Sequence, residues 1–293
     1  MSRIAYVNGL YVPHREASVH IEDRGYQFSD GVYEVFAVVD GKLVGEKGHL
    51  DRLEHSLSAL QIVWPMKRAP FMVVCREVMW RNHVRNGLVY LQVTRGVAPR
   101  NHPFPQNCQS AMVVTAKKTP PVNKDKLLKG VSVISIPDLR WKRHDIKSVS
   151  LLPNVLGKQQ AKQAGATEAW QVDVDGFVTE GTSSNAWIIT KDGVLVTRRA
   201  GFEILNGVTR LAALEAVREA GIEVEERPFT MEEAYQAKEA FLTSSSSHVT
   251  AITEIDGKPV GNGHTGELTT KIYDCFFAFI QKHGGPQKTD TWN

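Results

Sequence analysis

Lys117-Lys118-Thr119-Pro120-Pro121-Val122-Asn123 interrupts the chain with two adjacent prolines and no apolar periodicity. Proline has a fixed φ and no amide donor for a ladder, so such a run reads as an exposed connection. At 293 residues the chain exceeds one ordinary core, and a break here leaves two stretches of ordinary domain size. The expected organisation is an N-terminal domain over residues 1–118, a linker at 119–124, a C-terminal domain over 125–285 and a tail at 286–293.

Before the break, residues 4–7 and 10–12 flank Asn8-Gly9, and residues 32–39 and 42–44 flank Asp40-Gly41. Both dipeptides tolerate positive φ and so predict two-residue hairpins. The apolar spacing then changes to three and four at Leu50, Leu53, Leu57 and Leu60, which predicts a helix, and residues 71–84 repeat the pattern. Residues 89–94 and 112–115 read as strands, which makes the first domain α+β. Beyond the break, residues 131–136 read as a strand and 156–164 as a helix ended by Gly165. Hairpins follow around Asp175-Gly176 (169–174 with 177–179) and Asp192-Gly193 (186–190 with 194–197). Asn206 reads as the cap of a helix over 208–220, residues 222–224 and 240–243 as strands, and 268–280 as a closing amphipathic helix, giving an α/β second domain.

A hydrophobic share of 42% with 23% charged residues suits a globular chain and excludes disordered and fibrous classes. The formal charge of +3 is spread along the chain without the one-sided clustering that grips phosphate backbones, so nucleic acid is not an expected partner. Cys75, Cys108 and Cys275 are odd in number and widely spaced, which fits reduced thiols. The start Met1-Ser2-Arg3-Ile4-Ala5-Tyr6 lacks a signal-peptide core, and no stretch approaches the roughly 18 apolar residues of a membrane span. A cytoplasmic protein without membrane contact is expected.

Walker, GxGxxG, HExxH and GxSxG motifs are missing, and nothing suggests a metal site. Five polar segments, four of them punctuated by glycine, stand out instead: residues 22–31 (EDRGYQFSDG), 94–102 (TRGVAPRNH), 143–148 (RHDIKS), 179–185 (TEGTSSN) and 205–210 (LNGVTR). In that order and spacing they resemble the fold-type IV pyridoxal-phosphate (PLP) enzymes, which include D-amino-acid transaminases, branched-chain aminotransferases and aminodeoxychorismate lyases. The likeness runs from about Tyr6 to about Val260 and implies a two-domain fold-type IV enzyme whose C-terminal domain binds PLP.

The resemblance assigns the Schiff-base amine to Lys147, which would also carry the Cα proton. Glu180 is implied as the anion beside the pyridine nitrogen, since a protonated ring withdraws electrons from Cα. Val208 and Thr209 begin a helix, where free N–H groups and the dipole favour phosphate. The family adds an arginine, matched by Arg52, and a hydroxyl, aligned to Ser245 where threonine is commoner. Leu205 matches the residue that packs on the ring, although by itself it reads equally well as core.

The 94–102 segment resembles the D-amino-acid branch, whose α-carboxylate trap maps to Arg100, His102 and Tyr33. By residues alone, Arg100 and His102 read as a basic surface turn. The carboxylate's position decides which enantiomer offers its Cα hydrogen to Lys147, and a trap on this loop implies D-substrates. D-alanine or D-glutamate would be donors and pyruvate or 2-oxoglutarate acceptors, with Tyr90 and Trp141 as pocket walls or ordinary packing aromatics. A branched-chain L-aminotransferase and an aminodeoxychorismate lyase remain the alternatives, and the resemblance implies a homodimer.

Overall fold

The turns that punctuate the sequence adopt the backbone their residues favour: Asn8 has φ 44°, Gly9 101°, Asp40 48° and Gly41 81°. In the computed structural model, which describes residues 3–287, these turns close the first two hairpins. Of the tail expected at 286–293, residues 288–293 lie outside the described residues. Contacts divide the chain into one unit running to Val122 and including Ile146–Ser150, and a second formed by Asn123–Asp145 and the residues from Leu151 onward.

The first unit contains β1 (Ile4–Val7), β2 (Leu10–Pro13), α1 (Arg24–Phe28), β3 (Gly31–Val39), β4 (Lys42–Leu43), α2 (Glu46–Ala59), α3 (Arg68–Arg81), β5 (Gly87–Thr94) and β6 (Ala111–Lys118). Its sheet has the order β2-β1-β6-β5-β3-β4, antiparallel throughout. Alternation puts Val32, Phe36, Val89, Leu91 and Val114 in the core, where Leu53, Leu57, Phe71, Cys75 and Val78 of α2 and α3 join them. Burying each such side chain contributes about 1.5–3 kcal/mol. Tyr33, Tyr90 and Gln92 occupy the alternate positions and so face the other way. The segment containing Lys147 joins the edge of this unit: Ser148 bridges to Val32, and Val149 N donates to Gly31 O at 3.0 Å.

Several boundaries differ from the sequence reading. Helix α3 stops at Arg81, because His83 turns the chain at φ 51°, although the apolar pattern reaches Val84. Strand β6 runs on past the expected 112–115 to Lys118, with Lys117 and Lys118 paired with Leu88 and Gly87.

The second unit contains α4 (Lys124–Leu128), β7 (Val131–Pro137), α5 (Leu152–Gln163), β8 (Glu168–Val172), β9 (Val178–Gly181), β10 (Asn185–Ile189), β11 (Leu195–Thr197), α6 (Val208–Glu219), β12 (Val224–Glu226), α7 (Met231–Tyr235), β13 (Glu239–Ser244), β14 (His248–Ile255), β15 (Lys258–Pro259) and α8 (Glu267–His283). The main path of the sheet is β12-β11-β10-β13-β14-β7-β8-β9, with β15 on β14. It is mixed: β14–β7, β7–β8 and β11–β12 are parallel. Trp170, Ile188, Phe229, Leu242 and Ile252 lie in its core. Asn206 does not cap α6: the N-cap is Gly207, and no side chain bonds there. Strand β12 starts two residues later than expected, α5 starts at Leu152 with a proline in its first turn, and β14 was not anticipated. Among the described residues no helix is long and apolar enough to cross a membrane, and no cluster of ligands could hold a metal.

Candidate active site

In the first unit, Lys147 is held by its main chain. Its carbonyl accepts from Tyr33 N at 3.0 Å, and its amide donates to Ser56 Oγ of α2 at 3.1 Å. Ser56 is fully buried, so helix α2 and strand β3 both fix the backbone from which the amine extends. Lys147 Nζ lies 4.2 Å from the Tyr33 ring centroid, where the aromatic face favours a cation. Tyr33 also stacks on Tyr90 at 5.8 Å, and the Tyr90 hydroxyl donates to Gln92 Oε1 at 2.7 Å. Burial pushes the Tyr90 phenol up to about 12, so it stays neutral at physiological pH.

Arg52 is buried within a polar cluster invisible in the sequence. Its Nε and one terminal nitrogen fork onto the two oxygens of Glu34, each at 2.7 Å. His49 Nδ1 meets the same carboxylate at 2.7 Å. Burial alone would raise Glu34, but the charge and hydrogen bonds of Arg52 bring it to about 2. An ionised carboxylate only accepts, so His49 carries its proton on Nδ1. Burial, opposed by Glu34, lowers the His49 pKa and leaves the ring neutral.

Arg100 and His102 are exposed and packed around one ring: the Arg100 guanidinium is 4.9 Å from the Phe28 centroid and the His102 ring 5.3 Å. Among the described residues no hydrogen bond or ring contact joins either of them to Tyr33, which keeps the company of Lys147 and Tyr90.

In the second unit the structure brings Glu180, Leu205 and the start of α6 together. The Glu180 carboxylate accepts from Asn185 Nδ2 at 2.9 Å and from Leu205 N at 3.1 Å, and it pairs with Arg140. Asn185 also donates to Leu205 O at 2.8 Å, and a Cβ on Gly207 would lie 2.1 Å from Asn185 Oδ1. Only glycine therefore lets the start of α6 approach this closely. Opposite Asn185 on the sheet stands Thr243, two residues before Ser245, so the sheet register places Ser245 at the same strand ends. Trp141 is 45% exposed. Arg140 also forks onto Asp138, at 3.0 and 2.7 Å, and burial, which would raise Asp138, is overcome by these bonds, bringing its carboxyl to about 2.

Sequence reasoning missed Arg140, Asp138 and Asn185 because no spacing rule links residues 40 positions apart; only Asn185 had a signal, its place in the 179–185 segment. The polarity of that segment has a second cause. Thr182, Ser183 and Ser184 all donate to Glu168, a carboxylate only 2% exposed that also meets Lys158 at 3.2 Å.

These groups suit PLP by charge. Two carboxylates, Glu180 and Asp138, face one guanidinium, Arg140, which leaves one negative charge available to a protonated pyridine. Helix α6 presents an uncapped N-terminus to an anion, and the adjacent Arg210 keeps a buried Nε without a partner.

The amino-transferase class IV family matches residues 31–255. The D-alanine aminotransferase of Listeria monocytogenes serotype 4b (strain F2365) is 41% identical over 272 residues, covering 92% of this chain and 93% of that protein. That of Staphylococcus haemolyticus is 38% identical over 276 residues, 94% and 97% of the two chains. Among solved structures, a branched-chain amino acid aminotransferase from Escherichia coli superposes with a TM-score of 0.87 at 23% identity, covering 100% of this chain and 98% of its own. The branched-chain aminotransferase from the archaeon Thermoproteus uzoniensis, solved with norvaline, gives a TM-score of 0.83 at 24% identity, covering 100% and 98% of the two chains. At such identities the likeness speaks for the fold alone.

Proposed function

The chain belongs to the amino-transferase class IV family, and from that premise we propose that it transfers the amino group of D-amino acids such as D-alanine or D-glutamate to 2-oxo acids such as pyruvate or 2-oxoglutarate. The observation that carries this reading is the near full-length likeness, at 38–41% identity, to D-alanine aminotransferases. The cofactor is pyridoxal 5'-phosphate, which when bound draws electrons from the substrate Cα so that its proton can leave.

We assign the amine that holds the cofactor, and the base that takes the Cα proton, to Lys147 Nζ. Its backbone is tied to β3 and α2, which supports a fixed approach to one face of the substrate. Glu180 is the acid for the ring nitrogen, supported by its burial among donors and the surplus negative charge around it. The amides of Val208 and Thr209, with Arg52 and Ser245, take the phosphate, and Leu205 packs on the ring. For Arg52 the support is a buried charge held in a set orientation by Glu34. Arg100, His102 and Tyr33 receive the α-carboxylate, with Tyr90 and Trp141 as walls. For Arg100 the support is its exposed charge, which no carboxylate of the chain neutralises among the described residues.

A panel of paired D- and L-donors with 2-oxoglutarate tests the reading. Turnover of D-alanine well above L-alanine and L-leucine is expected; a preference for L-donors would overturn it in favour of a branched-chain L-aminotransferase. We also propose a cytoplasmic homodimer. Free thiols at Cys75, Cys108 and Cys275 support the compartment, and exposed Leu152, Val155 and Leu156 along α5 support a covered surface. Light scattering should give twice the chain mass.

A further inference from the structure

Helix α1 is only five residues long, yet it is tied firmly into its unit. Asp23 caps it by accepting from Gly25 N at 2.8 Å, and takes the Thr94 hydroxyl at 2.9 Å. A Cβ on Gly25 would lie 2.2 Å from Thr94 Cγ2, so helix and strand end are in close contact. Arg24, on this helix, is 3% exposed. Its Nε donates to Asp30 at 2.8 Å, and its terminal nitrogens to Asn101 O at 2.5 Å and His102 O at 3.1 Å. Asp30 already accepts a fork from Arg95, at 2.7 and 3.0 Å. One carboxylate cannot satisfy two guanidinium groups, so the surplus donors of Arg24 are directed at two successive carbonyls of the 94–102 loop. Four residues on, the half-buried Phe28 ring touches three cations or rings at once: Arg24 at 4.7 Å, Arg100 at 4.9 Å and His102 at 5.3 Å.

We propose that Arg24 and Phe28 are positioning residues that pre-shape the loop so that Arg100 and His102 meet the substrate carboxylate as a formed pair, an inference that rests on the assignment of that loop to the carboxylate. Arg24 fixes the main chain on either side of the link between Asn101 and His102. Phe28 fixes the directions of the side chains at 100 and 102. Left to themselves, two exposed polar side chains would sample many rotamers, and ordering them on binding would weaken capture of a small anion. The donors of the buried Arg24 are taken up by Asp30 and the two loop carbonyls, so the exposed Arg100 remains for the ligand.

Steady-state kinetics of the holoenzyme with D-alanine and 2-oxoglutarate test this, using Arg24→Gln, Arg24→Lys, Phe28→Leu and Arg100→Ala. Arg24→Gln should lower kcat/KM for D-alanine roughly ten- to a hundredfold, mostly through KM, while bound-cofactor absorbance is unchanged. Arg24→Lys keeps the charge for Asp30 but cannot reach two carbonyls, so it should recover thermal stability without recovering KM. A merely structural role would restore both together, which would overturn the proposal. In an Arg100→Ala background, Arg24→Gln should change kcat/KM by less than about twofold, because the effect is carried through Arg100. If Arg24→Gln does not fold, Phe28→Leu makes the same prediction at a half-buried site. Should Arg100→Ala alone leave KM unchanged, the carboxylate assignment falls and the proposal with it. Should Arg100→Ala raise KM while Arg24→Gln and Phe28→Leu do not, that assignment stands and the positioning role is overturned.

Discussion

Asp30 and Glu180 are surrounded in opposite proportions. Asp30, in the first unit, is one carboxylate between two arginines, Arg24 and Arg95, and their surplus N–H groups end on main-chain carbonyls of residues 60, 61, 101 and 102. Glu180, in the second unit, shares one arginine with Asp138, and its remaining contacts are neutral donors, Asn185 and the Leu205 amide. A buried positive surplus can be absorbed by carbonyl oxygens, which are everywhere in loops, and it then serves as scaffold. A negative surplus held by neutral amides keeps its charge, and it attracts a cation from outside the chain. The same ingredients thus yield a clamp in one unit and a binding group in the other.

The largest test removes the group that neither cluster supplies. Lys147→Ala should abolish transamination and the absorbance of lysine-bound cofactor, since no other residue offers both the amine and the base. Turnover at a wild-type rate would show that the chemistry lies elsewhere and that the charge comparison has been drawn around the wrong site.

A third carboxylate, Glu34, sharpens the contrast because its cluster balances: Arg52 forks onto it and His49 is neutral. It ionises at about 2 in the fold against an ordinary 4.5. A depressed carboxyl contributes stability above its unfolded value and loses it as pH falls from about 4.5 towards 2, here roughly 3 kcal/mol. Glu34→Gln removes the ionised carboxylate onto which the buried Arg52 forks and should destabilise by about 3–5 kcal/mol at pH 7. The gap from wild type should narrow below pH 4, as denaturant titrations at pH 7 and pH 3 would reveal. An equal gap at both values would mean that Glu34 is not the ionised partner described.

Much of this was readable before folding, and the limits have physical causes. The Asn8-Gly9, Asp40-Gly41, Asp175-Gly176 and Asp192-Gly193 turns could be read because their backbone demands specific residues. Strand β14 could not: residues 248–252 are buried on both faces between β13 and β7, so His-Val-Thr-Ala-Ile shows no alternation. Helix α1 is too short to show a period. The family segments pointed to Lys147 and Glu180, whereas the groups that hold Glu180 and Arg52 are contributed by distant elements, Arg140 after β7 and Glu34 on β3, and only the fold joins them.

Glu180→Gln tests the negative surplus itself. Neutralising one of two acids against one arginine leaves the cluster balanced, so the fold and bound cofactor should persist while kcat with D-alanine falls on the order of a hundredfold. An unchanged rate would mean that the surplus charge does no work on the ring nitrogen, and the distinction between clamp and binding group would collapse.

The smallest expected effect lies where no charge is involved. Tyr90 stacks on Tyr33, which supports Lys147, and its hydroxyl donates to Gln92 Oε1 at 2.7 Å. Because burial holds that phenol near 12, it is a neutral donor across the working range and adds no step to the pH profile. If Tyr90 acts through its ring alone, Tyr90→Phe keeps the support for Tyr33 and loses one neutral hydrogen bond, worth about 1 kcal/mol. Stability should drop by that amount, while kcat/KM for D-alanine stays within about threefold of wild type. Tyr90→Ala removes the ring and should raise KM further, because Tyr33 loses its stacking partner. A loss above tenfold in Tyr90→Phe would instead place the hydroxyl on the substrate, and the first unit would then contribute a neutral polar contact that its charge pattern does not reveal.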